Sequence, residues 1–139
     1  YYFRMQKYDR AIKHFRRAIE AYPNFIQAHS NLGATLNKLN RSEEAIPHLK
    51  KAIQLDPAFG VAYFNLGNAY ISQSNLVEAQ KAYDLAISKG INFLSMHWNL
   101  YDVYIRQGKR LKAKKELEFI LQIEPENREA KKKMEGFSR

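Results

Sequence analysis

The stretch "NLGATLNKLNRSEEAIPHLKKAIQLDP" at residues 31–57 decides the fold, because its pieces return at a fixed interval. "AHSNLG" at residues 28–33 comes back as "AYFNLG" at 62–67 and, altered, as "MHWNLY" at 96–101, thirty-four residues apart each time. A period of this size signals stacked structural units, each too small to bury its apolar face alone. Aligned on Asn31, Asn65 and Asn99, the chain falls into blocks 26–59, 60–93 and 94–127. Leu32, Leu66 and Leu100 then coincide, as do Leu36, Tyr70 and Tyr104. Further along the same holds for Ala45, Ala79 and Ala113, for Leu49, Tyr83 and Leu117, and for Ala52, Ala86 and Ile120.

These offsets fit two amphipathic helices joined by a short turn in each block. Helices are expected near 25–38, 42–55, 59–72, 76–89, 93–106, 110–123 and 128–135. The first helix of a block presents His29, Leu32 and Leu36 or their equivalents on one face. The second presents Ala45, Leu49 and Ala52, whose alanines let the pair pack closely. Asn40, Ser74 and Gly108 mark the turns within the pairs, and Lys89–Gly90 reads as a helix C-terminus with glycine just after it.

The pattern of Leu-Gly, Tyr, Ala, Phe/Tyr and Pro at these offsets closely resembles the tetratricopeptide repeat, or TPR. The resemblance implies an all-α solenoid, a right-handed superhelix of antiparallel helix pairs, running as a single array over residues 1–139. Two departures stand out. Tyr101 replaces the repeat's small glycine where the helices approach, so the third pair is expected to be splayed or locally repacked. Ile91 stands where Pro57 and Pro125 close the outer blocks, making "KGINF" the least typical turn.

Run backwards, the register puts Ala11, Phe15, Ala18 and Pro23 on the second helix of a preceding repeat. Residues 1–25 are thus expected to be that helix, preceded by the end of a first helix. Tyr1, Tyr2 and Phe3 would lack their usual neighbours. Either the chain is a fragment of a longer protein, or this face pairs with another copy or a partner. Residues 128–139 read as a capping helix and tail, with Ala130, Met134 and Phe137 its apolar side, and the array is expected to end there.

The composition is that of an ordinary soluble protein, with 45% hydrophobic and 27% charged residues. No apolar run approaches the ~20 residues a membrane span needs. No cysteine is present, which excludes disulfides, thiolate metal sites and cysteine nucleophiles. The compartment stays open, with the cytoplasm the favoured expectation. The net charge of +9 sits at the ends: residues 26–105 balance six basic against six acidic side chains. A nucleic-acid track would run along the whole groove. The charge therefore reads mainly as solubility and weak attraction to acidic partners, and nucleic acid is not the expected ligand.

No catalytic constellation is found: there is no glycine-rich phosphate loop and no nucleophile elbow. No enzyme activity and no cofactor are expected. His29 and His97 share the position of Tyr63 on first helices, while His14 and His48 share one on second helices. Helical packing accounts for all four, since no acidic or second histidine ligand sits at ligand spacing. Glu43 and Glu44 lie in a first helical turn, where carboxylates favour the macrodipole. Lys131, Lys132 and Lys133 read as a solvated face.

The asparagines remain. In the family, stacked first helices line a concave groove, and the residue before the motif's leucine turns toward it. Asn31, Asn65 and Asn99 resemble the asparagine ladder of long TPR superhelices, including those of O-linked N-acetylglucosamine transferases and peroxisomal import receptors. A carboxamide offers a donor and an acceptor together, so it pairs with a peptide backbone largely irrespective of sequence. Each such bond adds only ~0.5–1.5 kcal/mol net, so several rungs are needed. The asparagines either contact a ligand or shape the groove through internal hydrogen bonds. Ser30, Phe64 and Trp98 precede them, and Ala34, Asn68 and Asp102 follow three residues on. Phe64 and Trp98 either form an apolar pocket or are ordinary packing. Lys38 and Arg106 lie one turn further and would steer acidic residues.

Chaperone-tail clamps of this family carry Lys and Arg on the groove. Here the matching positions hold Ser30, Ala34, Asn65, Ser95 and Asn99, so that ligand is disfavoured. The expected function is a non-catalytic interaction module binding an extended peptide or partner segment. The alternatives are self-assembly through the open N-terminal half-repeat, or the substrate-recruiting arm of a larger enzyme such as a glycosyltransferase.

Overall fold

The computed structural model describes residues 2–138. Among them lie eight α-helices and no strand: α1 (Tyr2–Ala21), α2 (Ile26–Lys38), α3 (Ser42–Leu55), α4 (Gly60–Ser72), α5 (Leu76–Ser88), α6 (Leu94–Arg106), α7 (Arg110–Ile123) and α8 (Arg128–Gly136). Each helix expected from the spacing lies within a residue of its observed bounds. The chain divides into two compact units, residues 1–91 and 92–139.

Hydrogen bonding explains where the helices stop. Asn40 and Ser74 adopt φ of 58°, and Gly108 adopts 72°. After α2, the Asn40 N–H donates to Asn37 O and the Arg41 N–H to Leu36 O. The same pair of bonds closes α4 at Ser74 and Asn75, and α6 at Gly108 and Lys109. This left-handed C-terminal motif satisfies carbonyls that the helix end would leave orphaned. Gly90, at φ of 90°, repeats it after α5, with Ile91 N–H donating to Ala86 O at 3.0 Å. The turn expected to be least typical, "KGINF", is therefore closed by glycine where the other blocks use proline.

The expected break near the start of the chain is absent, and α1 is one continuous helix. The position equivalent to Asn40 is Gln6, a good helix former with no ease in the left-handed region, so nothing ends the helix there. In α3 the helix runs through Pro47, whose side chain is exposed. Tertiary packing of Ala45, Leu49 and Ala52, all fully buried, holds the helix across the hydrogen bond that proline cannot donate.

In the first unit, α2 packs against α1, α3 and α4, and α4 also packs against α3 and α5. Their shared core holds Ile12, Leu32, Leu36, Ala45, Leu49, Leu66, Ala69 and Ala82. Burying each such leucine contributes about 1.5–3 kcal/mol. A Cβ on Gly33 would meet Leu49 Cγ at 2.5 Å, and one on Gly67 would meet Tyr83 Cε1 at 2.5 Å. Both glycines are therefore required for the helix pairs to approach.

In the second unit α7 packs against α6 and α8. Leu100, Val103, Ala113, Leu117, Ile120 and Ala130 are fully buried. Tyr101 takes the glycine's place and is itself buried. Its ring meets Trp98 edge-on at 6.1 Å and the Lys133 ammonium of α8 at 5.5 Å. Asn127 caps α8 by accepting from Ala130 N–H at 2.9 Å. At the helix's other end, Arg110 donates to Gly136 O at 3.0 Å and lies 4.6 Å from the Phe137 ring centroid. Gly136 is the last helical residue.

Candidate functional site

The first helices carry the candidate residues, and packing sorts them. On α2, Asn31 and Lys38 are exposed while Leu32, Gly33 and Leu36 are buried. Lys38 lies 5.8 Å from the Tyr8 ring of α1. Ser30 does not face the open surface as expected: it is 1% exposed, because α1, α3 and α4 leave only a narrow row of α2 uncovered.

Asn65 also departs from the expected ladder. It is 8% exposed, and its backbone carbonyl accepts from Asn37 Nδ2 at 2.9 Å. That bond joins two first helices directly. Asn68 and Phe64 are half-buried and both turn toward Tyr83 of α5. The Tyr83 hydroxyl donates to Asn68 Oδ1, and its ring centroid lies 6.2 Å from that of Phe64. Asn68 thus spends its acceptor inside the protein.

In the second unit, Asp102 and Arg106 are exposed, and Trp98 and Asn99 are half-buried. Of the proposed assembly face, Tyr1 and the Tyr2 side chain lie outside the described residues. Phe3 is 83% exposed.

The histidines form contacts that a reading along single helices misses. His29 Nε2 donates to Pro23 O at 2.8 Å, and its Nδ1 lies 3.3 Å from His48 Nδ1 of α3. The equivalent Tyr63 hydroxyl donates to Pro57 O at 3.0 Å, with Ala82 in the place of His48. His97 donates from Nδ1 to Glu116 at 2.7 Å, and the Phe119 ring lies against it at 4.1 Å. In both histidine pairs the partners are nineteen residues apart, the offset between facing positions of the two helices. Burial, then the neighbouring His29 and Arg16, pushes the His48 imidazole below the ordinary histidine range. Arg41 donates to Glu44 at 2.8 Å and holds its carboxyl below the usual range. Among the described residues no three His, Asp or Glu side chains gather at metal distance, and no helix is long and apolar enough to cross a membrane.

One surface was not anticipated. A groove of about 340 Å³ opens over Ala82, lined by Ile53, Tyr63, Leu66, Tyr70 and Leu85, with Lys50, Glu78 and Lys81 at its edge. Ala82 stands at the repeat position that His48 and Glu116 hold in the other pairs.

A tetratricopeptide-repeat family model matches residues 26–59 and another residues 48–81, while a TPR-repeat model matches residues 1–40. The chain belongs to the tetratricopeptide-repeat family. No curated protein sequence matches it. Among solved structures, this TPR chain is similar to MamA, at 27% identity and a TM-score of 0.83 over 94% of this chain and 76% of that one. It shares the fold of YrrB, described as a TPR protein with an unusual peptide-binding site, at 23% identity and a TM-score of 0.79 over 86% and 62%. It also shares the fold of the first TPR of Spaghetti (RPAP3) bound to the HSP90 peptide SRMEEVD, at 23% identity and a TM-score of 0.71 over 77% and 85%.

Proposed function

We propose that this chain is a protein-interaction module that holds an extended segment of a partner along the open row of its first helix α2. The observation that carries this reading is the row left uncovered on α2. Asn31 and Lys38 face solvent on a helix whose other sides are sealed by three neighbours. On α6, Asp102 and Arg106 keep a second polar row open, with Asn99 half-buried beside it. Carboxamides grip a peptide backbone and the cations favour acidic side chains. Peptide binding by YrrB and by the RPAP3 domain supports a protein ligand.

A second reading has its own observation. The apolar groove over Ala82 suits one large side chain of a partner, with Lys50 and Lys81 at its rim. Selection from a random peptide library, followed by fluorescence anisotropy, separates the two. Loss of binding in Asn31→Ala, with Ala82→Trp unaffected, supports the first-helix row. Loss only in Ala82→Trp moves the site to the groove. If no peptide binds and mass rises with concentration unless Phe3→Asp is present, self-assembly replaces both.

A further inference from the structure

We propose that the outer face of α1 docks an acidic helical segment of a protein partner, with glutamates or aspartates repeating every three to four residues. Helical spacing puts Lys7, Arg10, Lys13 and Arg17 in one strip, with His14 among them, and all are exposed. The strip lies opposite the side of α1 that meets α2, where Ile12 is buried and Phe15 and Ile19 pack on the core. Cations three or four residues apart repel one another along a helix, so the strip opposes the helix that carries it. A local rule broken in this way points to an occupant that offsets the cost. The chain's own acids do not offset it: among the described residues no ion pair engages any of these cations. Arg16, off the strip on the same helix, has Glu44 at 3.7 Å.

Spacing and width choose the occupant. The cations stand roughly 4.5–6 Å apart along the helix axis and span about 15 Å from Lys7 to Arg17. Acids at i, i+3 and i+7 on a partner helix repeat at the same interval. Same-side residues of an extended strand stand further apart, at about 6.6–6.8 Å. Asp9 and Glu20 border the strip along one edge, so it is one helix wide. A bilayer or a nucleic-acid backbone would press its negative charge on those carboxylates too, whereas a single helix lies clear of them. Like charge keeps a second copy of the strip away. At the N-terminal end, a hollow of about 360 Å³ is lined by Phe3, Gln6, Lys7 and Arg10, with Phe3 83% exposed. It takes one apolar side chain at the end of the acidic row.

Fluorescence anisotropy of the full chain with a labelled alanine-based helical peptide tests the assignment. The peptide carries glutamate at i, i+3, i+7 and i+10 and leucine at each end. At low ionic strength it is expected to bind about tenfold or more tightly than its glutamine counterpart, since each exposed ion pair contributes only about 1.5- to 5-fold. Arg10→Glu with Lys13→Glu, checked for native helicity by circular dichroism, should lose about tenfold or more, and Arg10→Gln with Lys13→Gln should lose less. Lys115→Glu with Lys132→Glu, exposed in the second unit, alters net charge equally and should change affinity less than about twofold. Absence of binding to the acidic peptide overturns the proposal. So does an equal loss in the Lys115→Glu and Lys132→Glu chain, which would reduce the effect to overall charge. Equal affinity for a peptide of the same composition with glutamates on alternate residues overturns the helical assignment. Tighter binding of a DNA duplex or of phosphatidylserine vesicles, lost in the Arg10→Glu and Lys13→Glu chain, also overturns it, because the face then serves phosphate groups.

Discussion

The pairs α2–α3 and α4–α5 close over a glycine, whereas α6–α7 closes over a tyrosine. In the first unit the residue opposite, Leu49 or Tyr83, lies directly on the slot, and a Cβ would meet it at 2.5 Å. In the second unit Tyr101 is buried beside Trp98 with Lys133 of α8 over its ring. The same repeat position thus serves two ends. Small size admits a neighbour from the paired helix, while a large ring fills space offered by the capping helix.

Gly33→Tyr copies the second unit's solution into the first and should have the largest effect, a loss of more than about 3 kcal/mol in urea unfolding, because Leu49 cannot retreat. A loss under ~1 kcal/mol would show that the slot opens cheaply. Tyr101→Ala restores a small residue yet should still destabilise by about 3 kcal/mol, as an aromatic lost from a packed site does. An unchanged or raised stability would make Tyr101 a tolerated misfit rather than a packing element. The turns allow a smaller comparison. Ser74 holds φ of 58° where Gly108 holds 72°. Ser74→Gly should therefore gain, and Gly108→Ser lose, about 1 kcal/mol.

The smallest effect concerns acid. The His48 imidazole is depressed in the folded chain, so the unfolded chain binds its proton first as pH falls. The stability it contributes is present above the ordinary histidine value near ~6.5 and is lost as pH falls through the depressed folded value. The melting temperature of the native chain should drop between pH 7.5 and 5.5 more than that of His48→Ala. Equal slopes would remove His48 as the cause.

Much of the fold was legible because it rests on local rules. The period located every helix from α2 to α8, and Asn40, Ser74, Gly90 and Gly108 took the left-handed turns their places required. The continuous α1 was missed because the repeat register implied a turn at Gln6 that the side chain does not favour. For the candidate site less was legible. Ser30, Asn31 and Asn65 read alike as groove residues, yet only Asn31 is open. The His29–His48 contact was also missed, because the repeat alignment pairs equivalent positions thirty-four residues apart and says nothing of which positions face each other across a helix pair.

The sequence by itself determined the thirty-four-residue period, the helix pairs and the turns between them. These follow from spacing and from conformational preferences that act within a few residues. Only the tertiary structure decided which asparagines meet solvent, which histidines meet each other and where Ala82 opens a groove. Exposure is set by the helices on either flank, and no spacing along one helix encodes what its neighbours cover.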